Sequence, residues 1–198
     1  MSLALNQTGQ KLLQKAQKLL QENGYQFLSF QDIANAVGIR KASVHHYFRT
    51  KEDLARQMIS DYTIRLDAWI TNTEKKNLNP PEKLRAYFQI FANISNSGKA
   101  ICPAGSLLLD WNNFSQPLQE ELQKLIFKHH QWLKKILLEA DEAKISRVPL
   151  KEIDAHCTLI GTSIQGALQL ARASKDSPKL LKKVFQRLEE ITFQERTL

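Results

Sequence analysis

Apolar positions recur along this chain at intervals of three and four residues, which is the spacing of buried helix faces. Leu12, Leu13, Ala16, Leu19 and Leu20 form the first stripe, and it stops at Glu22-Asn23-Gly24. There the glycine predicts a left-handed helix cap. Ser29 then precedes Phe-Gln-Asp-Ile-Ala-Asn-Ala-Val, and Asp32 stands three residues on, a capping pair that predicts a second, short helix ending at Gly38. A third helix is predicted over about Arg40 to Phe48, with Val44 and Phe48, four residues apart, turned to the core. Thr50 and Asp53 repeat the capping pattern and open a long fourth helix, along which Leu54, Met58, Tyr62, Leu66, Trp69 and Ile70 share one face. Two short helices around a glycine turn, braced by others, describe a helix-turn-helix.

After residue 73 the pattern breaks into Thr-Glu-Lys-Lys-Asn-Leu-Asn-Pro-Pro-Glu-Lys, a polar connection in which Pro81 and Glu82 suit a helix start. Helix five is expected to run to about Ser97 and close at Gly98. A short helix is expected in 101–114, a long amphipathic one over 116–142, and two more over 150–174 and 178–193. The fold class read here is all-α: an N-terminal three-helix helix-turn-helix domain, residues 6–66, and a larger C-terminal helical bundle for ligand binding and dimerisation, residues 79–194. Seven glycines and six prolines in 198 residues, with long stretches between them, agree with that reading.

Charge adds a candidate partner. The chain carries a formal +8, and residues 1–66 hold nine Lys and Arg against five Asp and Glu, so the smaller N-terminal part is the more basic per residue. An anionic partner fits this balance. The third helix is too polar for a core. Arg40, Lys41, Ser43 and His45 suit contacts with bases or phosphates, His46 is a further hydrogen-bonding group, and Ala42 keeps the approaching surface small. Tyr47, Lys51 and the Ser29 hydroxyl stand where phosphate contacts are expected. Alone, a motif of this length would read as a solvated amphipathic helix. The order of caps, glycine turn and basic helix favours a double-stranded DNA reader.

The segment Phe-Leu-Ser-Phe-Gln-Asp-Ile-Ala-Asn-Ala-Val-Gly-Ile-Arg-Lys-Ala-Ser-Val-His-His-Tyr-Phe-Arg-Thr-Lys-Glu-Asp-Leu-Ala-Arg-Gln-Met-Ile, residues 27–59, resembles the DNA-binding part of the TetR/AcrR family of bacterial transcription regulators. The resemblance covers about the first third of the chain. It implies a homodimer whose two recognition helices read successive major grooves of a palindromic operator, and repression released by a small, unidentified effector. Arg40 stands where the family commonly has Ser or Thr, and His45 where Tyr is frequent.

In the C-terminal part, Cys157, Ile160, Gly161, Ile164, Gln165 and Leu168 make a seam, with Gly161, Ser163, Gly166 and Ala167 allowing close approach. That seam suits packing within one chain nearly as well as a dimer interface, and the resemblance tips it to the dimer. An effector pocket is expected between helices five and eight, with Tyr87, Phe91, Cys102, Leu108, Trp111, Phe127, His130 and Ile164 as lining; Trp111 and His130 each offer a polar handle. Cys102 precedes Pro103, a helix-start residue, so a reactive thiolate sensing electrophiles is one reading and a buried inert cysteine the other.

Two cysteines make no disulfide framework and point to a reducing cytoplasm, and no apolar run reaches a membrane span. Neighbouring histidines point about 100° apart on a helix, and no CxxC or HxxxH spacing occurs, so no metal or cofactor is expected. Two rival classes stay open. A non-specific, helical nucleic-acid-binding protein would need no effector domain, and an all-α enzyme would need a nucleophile–base pair or paired carboxylates that the sequence does not display.

Overall fold

The computed structural model describes residues 6–95 and 101–194, which are helical, as the spacing predicts. In order the helices are α1 Gln7–Asn23, α2 Phe30–Val37, α3 Lys41–Tyr47, α4 Lys51–Glu74, α5 Pro80–Ser95, α6 Pro103–Leu108, α7 Gln116–Glu142, α8 Ile153–Ala171 and α9 Ser177–Thr192. Short 3-10 turns occur at Trp111–Asn113 and Leu150–Glu152. No helix among the described residues is long and apolar enough to cross a membrane. The expected close of α5 at Ser97 and Gly98 lies outside the described residues.

The chain divides into two compact units, residues 1–66 with 103–125, and residues 67–102 with 126–198. The expected N-terminal domain, 6–66, is thus joined by a piece that the sequence had placed in 79–194. In this first unit Leu12, Ala16 and Leu20 of α1 are fully buried, as are Ile33, Ala34, Val44, Leu54, Ala55, Ile59 and, from the second piece, Leu107 and Leu118. The Ser106 hydroxyl donates to the Leu20 carbonyl at 2.9 Å within that core, so the two buried polar groups satisfy each other. The segment 101–114 is not one short helix. α6 ends at Leu108, and a 3-10 turn follows because Asp110, Asn112 and Asn113 favour turns over helix interiors.

The helix ends follow their caps. Asn6 Oδ1 accepts from Gly9 N at 3.0 Å to start α1. Gly24 ends it with φ +88° and ψ 167°, a positive φ as expected but not the left-handed helical conformation, and its N–H still reaches the Leu20 carbonyl at 2.9 Å. Gly38 is left-handed, φ +78° and ψ 34°; its N–H and that of Ile39 both return to Ala34 O, at 2.9 and 3.0 Å. Thr50 and Asp53 exchange both capping bonds, at 3.1 and 2.9 Å.

In the second unit α5 opens on the same device, Asn79 with Glu82, at 2.9 and 3.0 Å. α5, α8 and α9 pack together around Phe88, Ile160, Ile164 and Leu181, and Phe88 stacks on Phe185 with ring centres 4.7 Å apart. Lys83 is only 6% exposed and sits between Glu139 (2.7 Å) and Glu74 (3.2 Å), with Lys135 on Glu74 at 2.7 Å; a buried ammonium needs such partners.

The expected dimer seam on α8 needs correction. Cys157, Ile160, Ile164 and Leu168 are all buried inside their own chain, and Gly161 is half-buried. That stripe, spaced at i, i+3 and i+4, is a core face that packs on α9 and α5. The opposite face of α8 is the uncovered one: Leu159, Thr162, Gly166 and Leu170 are exposed, and a Cβ added at Gly166 would meet nothing within 4 Å.

Candidate functional site

α3 is held at few points and presents the rest of itself. Only Val44 of its seven residues is buried, with Phe48 just beyond its end, at 0% and 3% exposure. Arg40, Lys41, Ala42, Ser43, His45 and His46 are exposed, and Tyr47 is half-buried. Arg40 occupies the N-cap in extended conformation and makes no side-chain cap, so its guanidinium is not spent on the helix start. No side chain caps the helix start, where the Ser43 N–H returns to the Arg40 carbonyl at 2.9 Å, and the two cations Arg40 and Lys41 stand beside it, an arrangement that favours anions.

Each flanking residue is fixed by a neighbour. The His45 ring meets the Phe30 ring edge-on, centres 4.7 Å apart, which ties α3 to the first turn of α2. The Tyr47 hydroxyl donates to Asn6 Oδ1 at 3.0 Å, so the α1 cap also positions α3. Lys51 is half-buried. Its ammonium donates to the Gln26 carbonyl at 3.3 Å and lies 4.2 Å from the centre of the Tyr25 ring. Burial lowers its pKa, opposed by the Asp110 carboxylate. Ser29 is more committed than the sequence indicates: its hydroxyl donates to Asp32 Oδ2 at 2.6 Å while accepting from Asp32 N at 3.1 Å. What remains for an anion at the α2 start is its backbone N–H groups.

Sequence reasoning missed Asn6, Tyr25, Gln26 and Asp110 here. Asn6 was legible, since Asn before a helical stripe is a capping signal. Asp110 was not, because it joins Gln26 across 84 residues of chain.

The residues expected to line one effector pocket are dispersed. Leu108 and Trp111 belong to the first unit; the other six belong to the second. Tyr87, Phe91, Cys102 and Ile164 are buried, whereas Phe127 is 64% exposed. His130, half-buried, lies 3.8 Å from Asp154 on α8. Its neighbour His129 is the one in the apolar cluster: Nδ1 is 2.9 Å from the Tyr87 hydroxyl, and burial pushes its pKa down to about 4. Trp69, Phe91 and Trp132 complete this cluster, in which the buried Trp132 Nε1 has no hydrogen-bond partner among the described residues. Two grooves of about 720 and 490 Å³ run between α5 and α9, and none of the eight expected residues lines either.

Cys102 is not the exposed thiol expected of a sensor. It is 1% exposed, as is Cys157, and the helix that follows it has six residues. Burial, with Asp154 adding to it, pushes the Cys157 thiol up to about 12. No group of three or more His, Cys, Asp or Glu suited to a metal ion occurs among the described residues.

Against this geometry stand the known proteins. The family described as "Bacterial regulatory proteins, tetR family" matches residues 12–58, from α1 into α4. The transcriptional repressor DhaR of Mycobacterium sp. (strain GP1) is 26% identical over 187 residues, 90% of this chain and 91% of that protein. A TetR transcriptional regulator from Legionella pneumophila superposes with a TM-score of 0.85 at 26% identity, over 96% of this chain and 100% of the other. A TetR-family regulator from Agrobacterium tumefaciens gives 0.86 at 26% identity, over 94% and 98%.

Proposed function

We propose that the chain is a DNA-binding transcriptional regulator of the TetR family, a homodimeric repressor that reads a palindromic operator and is released by a small effector. The carrying observation is α3: seven residues anchored through Val44 and Phe48, with Arg40, Lys41, Ser43, His45 and His46 left exposed. Its N-terminal end enters the major groove. Arg40 and Lys41 suit guanine edges, Ser43 and His45 offer smaller hydrogen-bonding groups, and Ala42 permits close approach. Tyr47, Lys51 and the N–H groups at the start of α2 take phosphates, which set position and not sequence.

The second copy docks on the uncovered face of α8, through Leu159, Thr162, Gly166 and Leu170. Apolar side chains at 45% and 65% exposure (Leu159 and Leu170), with a glycine between them, allow two such helices to approach closely. The effector belongs to the apolar cluster around Tyr87 and His129. A ligand acceptor placed at Trp132 Nε1 would satisfy a buried donor, and the aromatic walls favour an apolar molecule. That the relative DhaR is named a repressor supports repression over activation.

Selection of bound duplexes from a random DNA library tests the reading. A two-fold symmetric consensus is expected, and Arg40→Ala is expected to change the preferred base at one position of each half-site while leaving binding to random DNA nearly unaltered. Enrichment of no sequence at all would refute specific recognition.

A further inference from the structure

Residues 103–115 are not neighbours of the helix-turn-helix in sequence, yet they are built into its unit and reach the parts that hold Lys51. The Gln26 amide donates to Asp110 Oδ1. The Ser115 N–H donates to Glu52 Oε1 at 2.9 Å, and its hydroxyl donates to the same oxygen. The Phe114 ring stands edge-on to Tyr25, centres 4.9 Å apart. Burial, then Glu52 and Asp110, push the Tyr25 hydroxyl up to about 12, in keeping with a closed acidic site around that ring.

Gln26 makes the connection. Its side chain goes to Asp110 while its carbonyl accepts the Lys51 ammonium, and Tyr25, on which that ammonium rests, is the ring that Phe114 abuts. The turn's own backbone bonds, Gly24 N–H to the Leu20 carbonyl at 2.9 Å and Leu28 N–H to the Tyr25 carbonyl at 3.1 Å, fix the main chain and leave the Gln26 side chain to be set by its contact with Asp110. A lysine that grips a phosphate gives up rotamer freedom, and one already restrained gives up less.

We propose that Asp110 and Ser115 are positioning residues for DNA binding, which hold Lys51 at its phosphate through Gln26, Tyr25 and Glu52 without touching the duplex. The proposal rests on the reading of Lys51 as a phosphate contact. It makes DNA affinity adjustable from a segment more than forty residues beyond α3. Asp110 has two opposed effects there: its acceptor oxygen orders Gln26, while its charge repels phosphate. Asparagine keeps an acceptor oxygen without the charge, and alanine keeps neither, so comparing those two variants isolates positioning.

The experiment is fluorescence anisotropy with a labelled mixed-sequence duplex at low salt, for Asp110→Asn and Asp110→Ala, each in the parent and in the Lys51→Ala background. Asp110→Asn is expected to bind at least as tightly as the parent. Asp110→Ala is expected to bind about 3–10-fold more weakly than Asp110→Asn, the worth of one hydrogen bond. In the Lys51→Ala background that gap should shrink below about twofold, because the group being positioned is gone. Equal affinities for the two Asp110 variants, or a gap that survives Lys51→Ala, would overturn the positioning role. Parental affinity in Lys51→Ala alone would refute the phosphate contact, which is a separate result. Should Asp110→Ala fail to fold, Gln26→Met removes the donor at similar bulk and is expected to weaken binding by the same factor, again only when Lys51 is present; no weakening there overturns the proposal equally.

Discussion

Replacing Lys51 with alanine should weaken binding to every DNA sequence alike, and the size of the loss follows from counterion release. One neutralised phosphate contributes a slope of about −0.9 in log affinity against log salt, so two copies in a dimer contribute about −1.8. Extrapolated to the usual 1 M reference, the lost contacts amount to roughly 200-fold in affinity at 50 mM salt and roughly 20-fold at 200 mM. These are upper figures. The ammonium already rests on the Tyr25 ring, donates to Gln26 O and feels Asp110, so it is partly neutralised before DNA arrives. Because α4 opens on a reciprocal Thr50–Asp53 cap that does not involve Lys51, the substitution should leave the helix intact. Anisotropy titrations from 50 to 200 mM salt, on an operator and on random duplex, measure both slope and affinity. An unchanged slope, or a loss confined to the operator, would refute the phosphate assignment.

Light scattering should give about 45 kDa for free protein, twice the 22.7 kDa chain, and Leu170→Glu with Gly166→Gln should lower that mass while the far-UV circular dichroism stays helical, since both positions are open in the single chain; a persistent dimer would move the seam elsewhere. Both cysteines should label slowly in the folded protein at neutral pH and quickly in denaturant, because each is 1% exposed, and rapid labelling of folded Cys102 would contradict its burial. His129 should make the fold acid-sensitive. With its pKa held at about 4 against 6.5, the unfolded chain takes up a proton in that window that the folded chain refuses, so stability falls as pH drops from 6.5 to 4, by up to about 3 kcal/mol. Urea melts of His129→Gln should be flatter across that window, and an unchanged pH profile would exclude His129 as the cause.

The helices were legible because their ends are written locally. Ser29 with Asp32 and Thr50 with Asp53 are capping pairs three residues apart, and Gly38 needs its positive φ whatever packs around it. The exposed face of α3 could likewise be read from seven residues, since a helix with one buried position has little to offer a core. Contacts between distant parts of the chain carry no such signature. Nothing in the spacing around Asp110 predicts Gln26, and nothing around Ser115 predicts Glu52, so the recruitment of 103–125 into the first unit had to be seen in three dimensions.

The α8 seam shows why apolar spacing alone cannot distinguish a partner from the protein's own core. Cys157, Ile160, Ile164 and Leu168 form the stronger stripe, and the strongest stripe goes to the largest burial available, which is inside the chain against α9 and α5. A dimer interface must be built from what folding leaves uncovered. On α8 that is the weaker face, where Thr162 and Gly166 interrupt Leu159 and Leu170, and its mixture of small and apolar residues reads as ordinary surface until the first face is known to be occupied. The same reasoning separates the adjacent histidines. His129 and His130 point about 100° apart, one into an aromatic cluster and one toward Asp154, and only the neighbouring helices decide which is which.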